Sequence, residues 1–349
     1  MNIAFLNIYG GKVERGAETF THELARRLEK KHRVVFFKGK SNILPSHGFS
    51  GSLVKQMTKR TFLDTPSRAV FKFTLANIGK IIRSNFDIVI PMNGFWQLLL
   101  LKLFQPLGRY KIVVTGHSGP GWDERWNLYL KPDAFVATTV PTRIWATRTA
   151  PWTRVEMIPY GIDAKVLQKA GPVSIDLKKP IILCPAALVP YKRIDRAIEA
   201  VVLIKEASLL VVGRGGLESK LKRMGKEKLG SRFALTGVAH DKMASLYQVA
   251  DVVTLPSEAQ ENSPMVFLES LAAGKPVVTT DSQRNRWLLG DAGIYCNPED
   301  RAQYARTLRQ ALRLGGQTET KKRIQRVARR FAIRNVARQY EELFHSLTK

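Results

Sequence analysis

Two successive α/β domains, each a parallel sheet wound on both faces by helices, are what this sequence predicts. Three observations carry the prediction. Short apolar runs alternate with longer amphipathic runs of helical spacing. The alternation pauses in a Gly-, Pro- and Lys-containing stretch at 157–180 and then resumes. The 349 residues exceed what one core comfortably holds. Parallel strands buried on both faces read as continuous apolar runs, and their crossovers need enough chain for a helix.

The elements follow in order. IAFLNIY (3–9) reads as the first strand. A turn with Gly10, Gly11 and Gly16 comes next, where small residues let backbone approach a ligand, although it lacks the G-x-G-x-x-G dinucleotide spacing. FTHELARRLEKK (20–31) has helical spacing, and RVVFFKG (33–39), FDIVIPM (86–92), YKIVVTG (110–116) and AFVATTV (134–140) read as further strands. FWQLLLLKLF (95–104) is apolar for about ten residues, half of the roughly 20 that span a bilayer, and reads as a buried helix. In the second half, strands are expected at 180–188, 208–214, 232–237, 251–257 and 276–281, with helices at 194–204, 216–224 and 243–249. The tail 320–349 is helical and very basic.

With 44% hydrophobic and 24% charged residues, the composition is that of a globular protein and excludes disordered and collagen-like classes. Cys184 and Cys296 lie far apart in apolar runs, which argues against a disulfide framework or a Cys-type zinc site and for a reducing cytoplasm. His22, His32, His47, His240 and His345 show no ligand spacing, so no metal site is expected. The first residues, MNIAFLN, have no basic region or cleavage site and do not read as a signal peptide. Fifty-six Lys and Arg against 29 Asp and Glu give a net charge of +27, which attracts polyanions such as nucleic acid, anionic lipid or phosphate esters. A general solubility effect is the plain alternative. No helix-turn-helix, zinc finger or RNP signature is present, so nucleic acid is not expected as a partner.

ENSPMVFLESLAAGKPVV (261–278) is the most informative stretch. It follows the strand DVVTLPS, so Glu261 and Asn262 fall at a strand's carboxyl end, where open parallel sheets bind ligands. Pro264 suits the first helical position and Gly274 the C-terminal cap. The helix start presents N–H groups that favour a phosphate. The carboxylates suit hydroxyls instead. A ligand with phosphates between polyhydroxylated ends, a nucleotide sugar, would use both. Periodicity alone is equally compatible with Glu261 on a solvated loop and Glu269 on a helix surface.

Glu261-x7-Glu269 followed by LAAGKPVVTTD resembles the signature of retaining glycosyltransferase family 4, glycosyl transferases group 1, with the GT-B fold. AALVPYKRIDRAIEA (186–200), LLVVGRGGLESKL (209–221), FALTGVAHDKMASLYQVADVVTLPS (233–257) and NRWLLGDAGIYCNPED (285–300) agree with it in order and spacing. So do GGKVERGAETFTHELARRL (10–28), VVTGHSG (113–119) and VEMIPYGID (155–163), while 40–85 shows little likeness. The resemblance implies two Rossmann-like doubly wound domains facing across a cleft: an acceptor-binding domain at 1–165, a nucleotide-sugar-binding domain at 166–325, and a helix at 326–349 that crosses back. It implies that Glu269 binds the ribose, that Glu261 holds hydroxyls of the transferred sugar, and that Asn262, Ser263, Pro264, Met265 and Val266 cradle sugar and phosphate. Lys192 would neutralise the diphosphate, Gly16 would close over it, and His117, at the end of a strand, would contact the sugar or acceptor. Each has a plainer reading: Lys192 as a solvated lysine, His117 as a structural histidine, Glu18 beside Gly16 as a helix-start charge. The family's arginine five residues before the lysine is Ala187 here, and Arg193 or Arg214 would have to compensate. The Gly-Gly after TTD is replaced by Gln283-Arg284.

The implied activity is sugar transfer with retention, from UDP-, GDP- or another nucleotide-diphosphate sugar, without a metal, to a glycan or lipid-linked acceptor. Residues 51–85 carry seven Lys and Arg against Asp64 alone, interleaved with apolar residues, which reads either as an anionic-membrane contact or as a basic outer face. The protein is thus expected in the cytoplasm or peripherally at the inner membrane face. A nucleotide-sugar epimerase, a catalytically divergent relative and a polyanion-binding module stand as alternatives.

Overall fold

The computed structural model describes residues 1–10, 16–39, 53–238, 242–258 and 262–349. Gly11, His47, His240 and Glu261 lie outside the described residues. The chain divides into two compact units, Met1–Gly161 with Ile333–Lys349, and Ile162–Ala332. The chain leaves the first unit after Gly161 and returns to it at Ile333, where the sequence reading drew the boundaries at 165 and 325.

The first unit is built on a six-stranded parallel sheet, β1 (Asn2–Asn7), β2 (Arg33–Lys38), β3 (Ile88–Pro91), β4 (Lys111–Gly116), β5 (Ala134–Ala137) and β6 (Val155–Met157). Its order is β2-β1-β3-β4-β5-β6, all neighbours parallel. β3 and β5 are buried along their whole length, which is why they read as unbroken apolar runs. The helices are α1 (Gly16–Leu28), α2 (Leu53–Arg60), α3 (Thr65–Arg83), α4 (Phe95–Gly108), α5 (Trp122–Tyr129) and α6 (Val140–Thr149). α3 packs on α4, and α4, α5 and α6 follow one another side by side. The apolar stripe of α3, Val70, Ile78 and Ile81, is buried with Thr74, so the amphipathic pattern of this segment serves packing. Its exposed face carries Arg68, Lys72, Lys80 and Arg83.

The second unit holds α7 (Ala164–Lys169) and a second six-stranded parallel sheet, β7 (Ile181–Pro185), β8 (Ser208–Val212), β9 (Phe233–Thr236), β10 (Val252–Leu255), β11 (Val277–Thr280) and β12 (Gly293–Cys296). Its order is β12-β11-β10-β7-β8-β9, again all parallel. The crossovers are α8 (Ile194–Val202), α9 (Glu218–Leu229), α10 (Met243–Val249), α11 (Met265–Ala272) and α12 (Gln283–Leu289), followed by α13 (Arg301–Leu314) and α14 (Thr318–Arg330). α14 packs on α11. The closing helix α15 (Ile333–Thr348) belongs to the first unit, packing on α1 with its buried Tyr340 hydroxyl 3.1 Å from Thr115 Oγ1 of β4.

Strand order reverses between β1 and β3 in one sheet and between β7 and β10 in the other. These are the points where doubly wound sheets open a crevice for ligands. Among the described residues no helix is long and apolar enough to cross a membrane.

Candidate active site

At the reversal point of the second sheet the chain builds a sutured edge. Beyond β7 the backbone keeps pairing with the chain beyond β8: Ala186 N donates to Val212 O (2.9 Å) and Leu188 N to Arg214 O (2.9 Å). That approach requires glycine opposite, since a Cβ on Gly213 would sit 1.9 Å from Ala186 O and one on Gly215 2.5 Å from Leu188 O. Pro190–Lys192 then form a 3-10 turn, and Arg193 reverses the chain into α8 with φ at 50°. Across the reversal point, Glu258 N, just beyond β10, donates to Tyr191 O (2.9 Å), so the two loops are fastened to each other.

Lys192 is only 7% exposed, and its Nζ lies 5.3 Å from the centre of the Tyr191 ring. A lysine so enclosed holds its charge close to the end of β7, where it lowers the otherwise raised pKa of Cys184. Arg193 behaves differently. Its guanidinium meets Glu258 (3.1 Å) and Glu299 (2.7 Å), with Asp195 at 3.9 Å, and Glu299 also takes Arg196 (2.7 Å). Its charge is compensated by carboxylates, and it braces the loop. Arg214 is exposed, with its side chain beside Gly237 at the end of β9, and Ala187 is exposed at the end of β7.

On the β10 side, Asn262 and Ser263 precede Pro264, which is extended (ψ 113°) and stands just before α11 rather than inside its first turn. The helix begins at Met265, has no acidic residue in its first turn and no side-chain cap. Its first amides, Met265 and Val266 included, form a positive helix end that no side chain caps among the described residues, suited to an anion. Ser263 Oγ and Ser257 Oγ are buried hydroxyls with no protein partner among the described residues. Gly274 ends the helix at φ 73°. Glu269, one turn in, is 6% exposed and accepts a 2.6 Å hydrogen bond on Oε2 from Tyr247 of α10. Burial and the neighbouring carboxylate push the Tyr247 phenol well above its usual range, so it remains a donor. Tyr247→Phe removes that donor and leaves a buried carboxylate short of one partner. The expected cost is about 1–3 kcal/mol of stability, read by denaturant unfolding.

The first unit carries the remaining candidates. Gly16 is the first residue of α1, and Glu18 beside it is buried. His117 follows β4, and its Nδ1 lies 2.7 Å from the Tyr160 hydroxyl. Tyr160 is 3% exposed and packs on Phe20 of α1, with ring centres 4.7 Å apart, so the imidazole is held by a fixed neighbour. Ser118 N donates to Glu124 Oε1 (3.1 Å) and Asn127 Nδ2 to Glu124 Oε2 (3.0 Å). Burial pushes the Glu124 carboxyl up to about 7, against the opposing pull of these hydrogen bonds. The native state therefore keeps a proton that the unfolded chain loses near its ordinary 4.5. Stability contributed by this group falls as pH rises from 4.5 to 7 and is level above. The stability difference between Glu124→Gln and the parent chain should grow by about 1–3 kcal/mol over that window in favour of the variant, as read by denaturant titrations at several pH values.

Lys192, Arg193, Asn262, Ser263, Pro264, Met265, Val266 and Glu269 thus gather at the ends of β7 and β10, whereas Gly16 and His117 belong to the other unit. Tyr247, Tyr160 and Glu124 were not marked by sequence reasoning, nor was Arg284 as a buried residue. Arg284 is 8% exposed at the start of α12, with its Nε 3.0 Å from Asn285 Oδ1. Tyr247 and Tyr160 act through neighbours distant in the chain, Glu124 is marked by its burial, which no local pattern shows, and the buried arginine is visible only as the departure at 283–284. Burial holds both cysteine thiols near 12, so neither is a nucleophile. Among the described residues no cluster of His, Cys, Asp and Glu is arranged to hold a metal.

Two doubly wound parallel sheets, the second with a cationic, amide-lined edge at its reversal point, define a GT-B type α/β protein. Residues 15–166 match the family described as Glycosyltransferase Family 4 and residues 179–313 the one described as Glycosyl transferases group 1. The chain is 30% identical over 280 residues to a GDP-mannose-dependent monoacylated alpha-(1-6)-phosphatidylinositol monomannoside mannosyltransferase of Corynebacterium glutamicum, covering 71% of this chain and 72% of that one. It is 30% identical over 302 residues to a lipopolysaccharide 1,2-N-acetylglucosaminetransferase of Salmonella typhimurium, covering 76% of each. The fold matches that of Anabaena HepE, solved in complex with UDP, with a TM-score of 0.73 at 17% identity over 99% of this chain and 100% of that one. The chain belongs to the group 1, family 4 glycosyltransferases and is a glycosyltransferase.

Proposed function

We propose that this enzyme moves a hexosyl residue from a nucleotide-diphosphate sugar to a glycan or lipid-linked acceptor, with retention of anomeric configuration, in the synthesis of a surface polysaccharide or glycolipid. The observation that carries the reading is the sutured edge at β7 and β10, where an enclosed Lys192, an uncapped α11 start and the pinned Glu269 lie together. Glu269 takes the ribose hydroxyls. The amides of 262–266 cradle sugar and phosphate, and Gly16 closes over the diphosphate. Lys192 and the helix end stabilise the charge that grows on the diphosphate as its bond to the sugar C1 breaks, the task a metal performs elsewhere. The acceptor oxygen adds to C1 from the same face, and its proton passes to the leaving diphosphate. Glu261 holds hydroxyls of the transferred sugar, and His117 meets sugar or acceptor. The named relatives, a mannosyltransferase that depends on GDP-mannose and an N-acetylglucosaminetransferase, support a hexosyl donor and a glycolipid-type acceptor. The work is done in the cytoplasm, with peripheral attachment to the membrane.

The test is transfer from GDP-mannose and UDP-N-acetylglucosamine to a phosphatidylinositol mannoside, followed by NMR of the new anomeric proton. An α-linked product supports the reading, a β-linked product overturns retention, and nucleotide release without any linked product overturns the acceptor class. Restoring a guanidinium at the exposed end of β7 adds a further check. Ala187→Arg should tighten nucleoside diphosphate binding about ten-fold, the size of one charge-assisted hydrogen bond, as read by calorimetry.

A further inference from the structure

Helix α5 is inside out. Its sequence WDERWNLY buries Glu124, Asn127 and Leu128, while Trp122 and Tyr129 stand 38% and 42% exposed on the outer side. Inside, Glu124 is held by Ser118 N of the loop after β4 and by Asn127 of its own helix. Of the aromatic residues, Trp126 is half-buried and packs edge to face on Phe95 of α4, while Trp122 and Tyr129 keep much of their rings outside. Trp122, Trp126 and Tyr129 recur at the i, i+4, i+7 spacing of one helical stripe. Their ring centres are 5.8 and 5.9 Å apart, and Trp152, 56% exposed in the turn before β6, continues the line 6.2 Å from Tyr129. The line is anchored at one end, where Trp122 Nε1 donates to Arg60 O (3.1 Å). Its flanks are basic: Arg125 and Lys131 are exposed, and the Lys131 ammonium sits 5.8 Å from the Trp152 ring centre. The neighbouring helices add Leu103 and Leu107 of α4 and Ile144 of α6, at 69%, 68% and 42% exposure. Exposed aromatic and aliphatic side chains on neighbouring helices of a globular unit mark a place where something docks.

We infer that this α4–α5–α6 face, led by Trp122, Tyr129 and Trp152, rests on an anionic lipid bilayer. Tryptophan and tyrosine with basic neighbours are the side chains that settle at the headgroup level, where rings find apolar depth and cations find lipid phosphate. A chain of net charge +27 gains from an anionic surface and loses by pressing this basic-edged face on a second copy of itself. The rings of α5 also meet edge to face, at 76° and 78° between planes, so they form a ridge rather than the flat platform a sugar ring would stack on. Trp122 lies directly beyond the 117–121 segment that carries His117. The bilayer would therefore lie beside the end of β4, where a lipid-linked acceptor has to arrive. This inference rests on the lipid-linked acceptor reading for its purpose and on the α5 geometry for its location. It assigns the aromatic part of the membrane contact to α5 and its neighbours, while the basic stretch 51–85, which also exposes Met57, Leu63 and Leu75, adds charge.

The test is sedimentation of the full chain with vesicles of phosphatidylcholine alone and of phosphatidylcholine mixed with phosphatidylglycerol. The parent chain should partition onto the mixed vesicles with a blue shift of tryptophan emission. The doubly substituted Trp122→Ser, Trp152→Ser chain should lose about ten-fold or more of that partitioning, as expected for withdrawing two large rings from apolar contact. Trp152→Ser alone, at the most exposed ring in a turn, should show part of the same loss if the double variant is poorly folded. Lys72→Glu with Lys80→Glu on α3 should cost less and only at low salt. Equal partitioning of parent and tryptophan variants, loss confined to the α3 variant, or a parent that ignores vesicles but forms a dimer broken by Trp152→Ser would each overturn the assignment. Nucleotide binding by the same variants should be unchanged. Vesicle binding without sugar transfer to a lipid acceptor would remove the acceptor reading while leaving this surface in place.

Discussion

Lys192→Ala is expected to lower kcat by about two to three orders of magnitude, the loss typical of removing one preorganised charge-stabilising group. The donor KM should change far less. Its ammonium is enclosed at the end of β7, where charge interactions are screened little by water. The diphosphate is already anionic on the intact donor and gains a further charge as it departs, so the part of the lysine's contribution that raises kcat is its interaction with that added charge. Because burying an ammonium has a desolvation cost, the variant should melt no lower than the parent by more than a few degrees. Thermal unfolding beside the kinetics separates lost chemistry from lost fold. Lys192→Arg should recover little, because a planar fork does not occupy the place of a compact ammonium in an enclosed turn. A kcat within a few-fold of the parent would show that the lysine only fastens the turn to Tyr191.

Glu269→Gln is expected to weaken nucleoside diphosphate binding about ten- to a hundred-fold, from the loss of charge-assisted hydrogen bonds to the ribose. Glutamine keeps the shape, and its carbonyl can still accept from Tyr247, so the fold should hold. The ribose is remote from the breaking bond, so the effect should appear in donor KM with kcat at saturation nearly unchanged, the pattern of binding shared by ground and transition states. A selective fall in kcat would instead place this carboxylate at the sugar.

Much of this organisation is legible in the sequence because it depends on continuous burial. IIL in β7, LLVV in β8 and VVTL in β10 are apolar throughout, since both sheet faces are covered. The edge strands β6 and β12 are less visible: VEM is half-buried along its length and GIYC mostly so, and strands of three or four residues are too short to stand out as apolar runs. Pro264 misleads by one position, because proline is as comfortable extended before a helix as in its first turn. For Arg193, the sequence shows a cation beside Lys192. Its carboxylate partners, Glu258 and Glu299, are distant in the chain, and only folding brings them to it. Tyr247 holds Glu269 in the same way, across a turn and a strand. The α3 stripe and the α5 stripe look alike as amphipathic patterns, yet one is buried and the other is exposed. Periodicity reports that a face exists and leaves open which way it points.

The proposed function requires the edge at β7 and β10 to bind a nucleoside diphosphate. The most direct measurement is calorimetric titration of UDP, GDP, ADP, dTDP and tripolyphosphate into the parent chain and Glu269→Gln at moderate salt. One nucleoside diphosphate should bind at least about ten-fold tighter than tripolyphosphate, and the substitution should erase the difference. Equal binding of every polyanion, unaffected by the substitution, would contradict it and leave only the attraction of a highly basic surface.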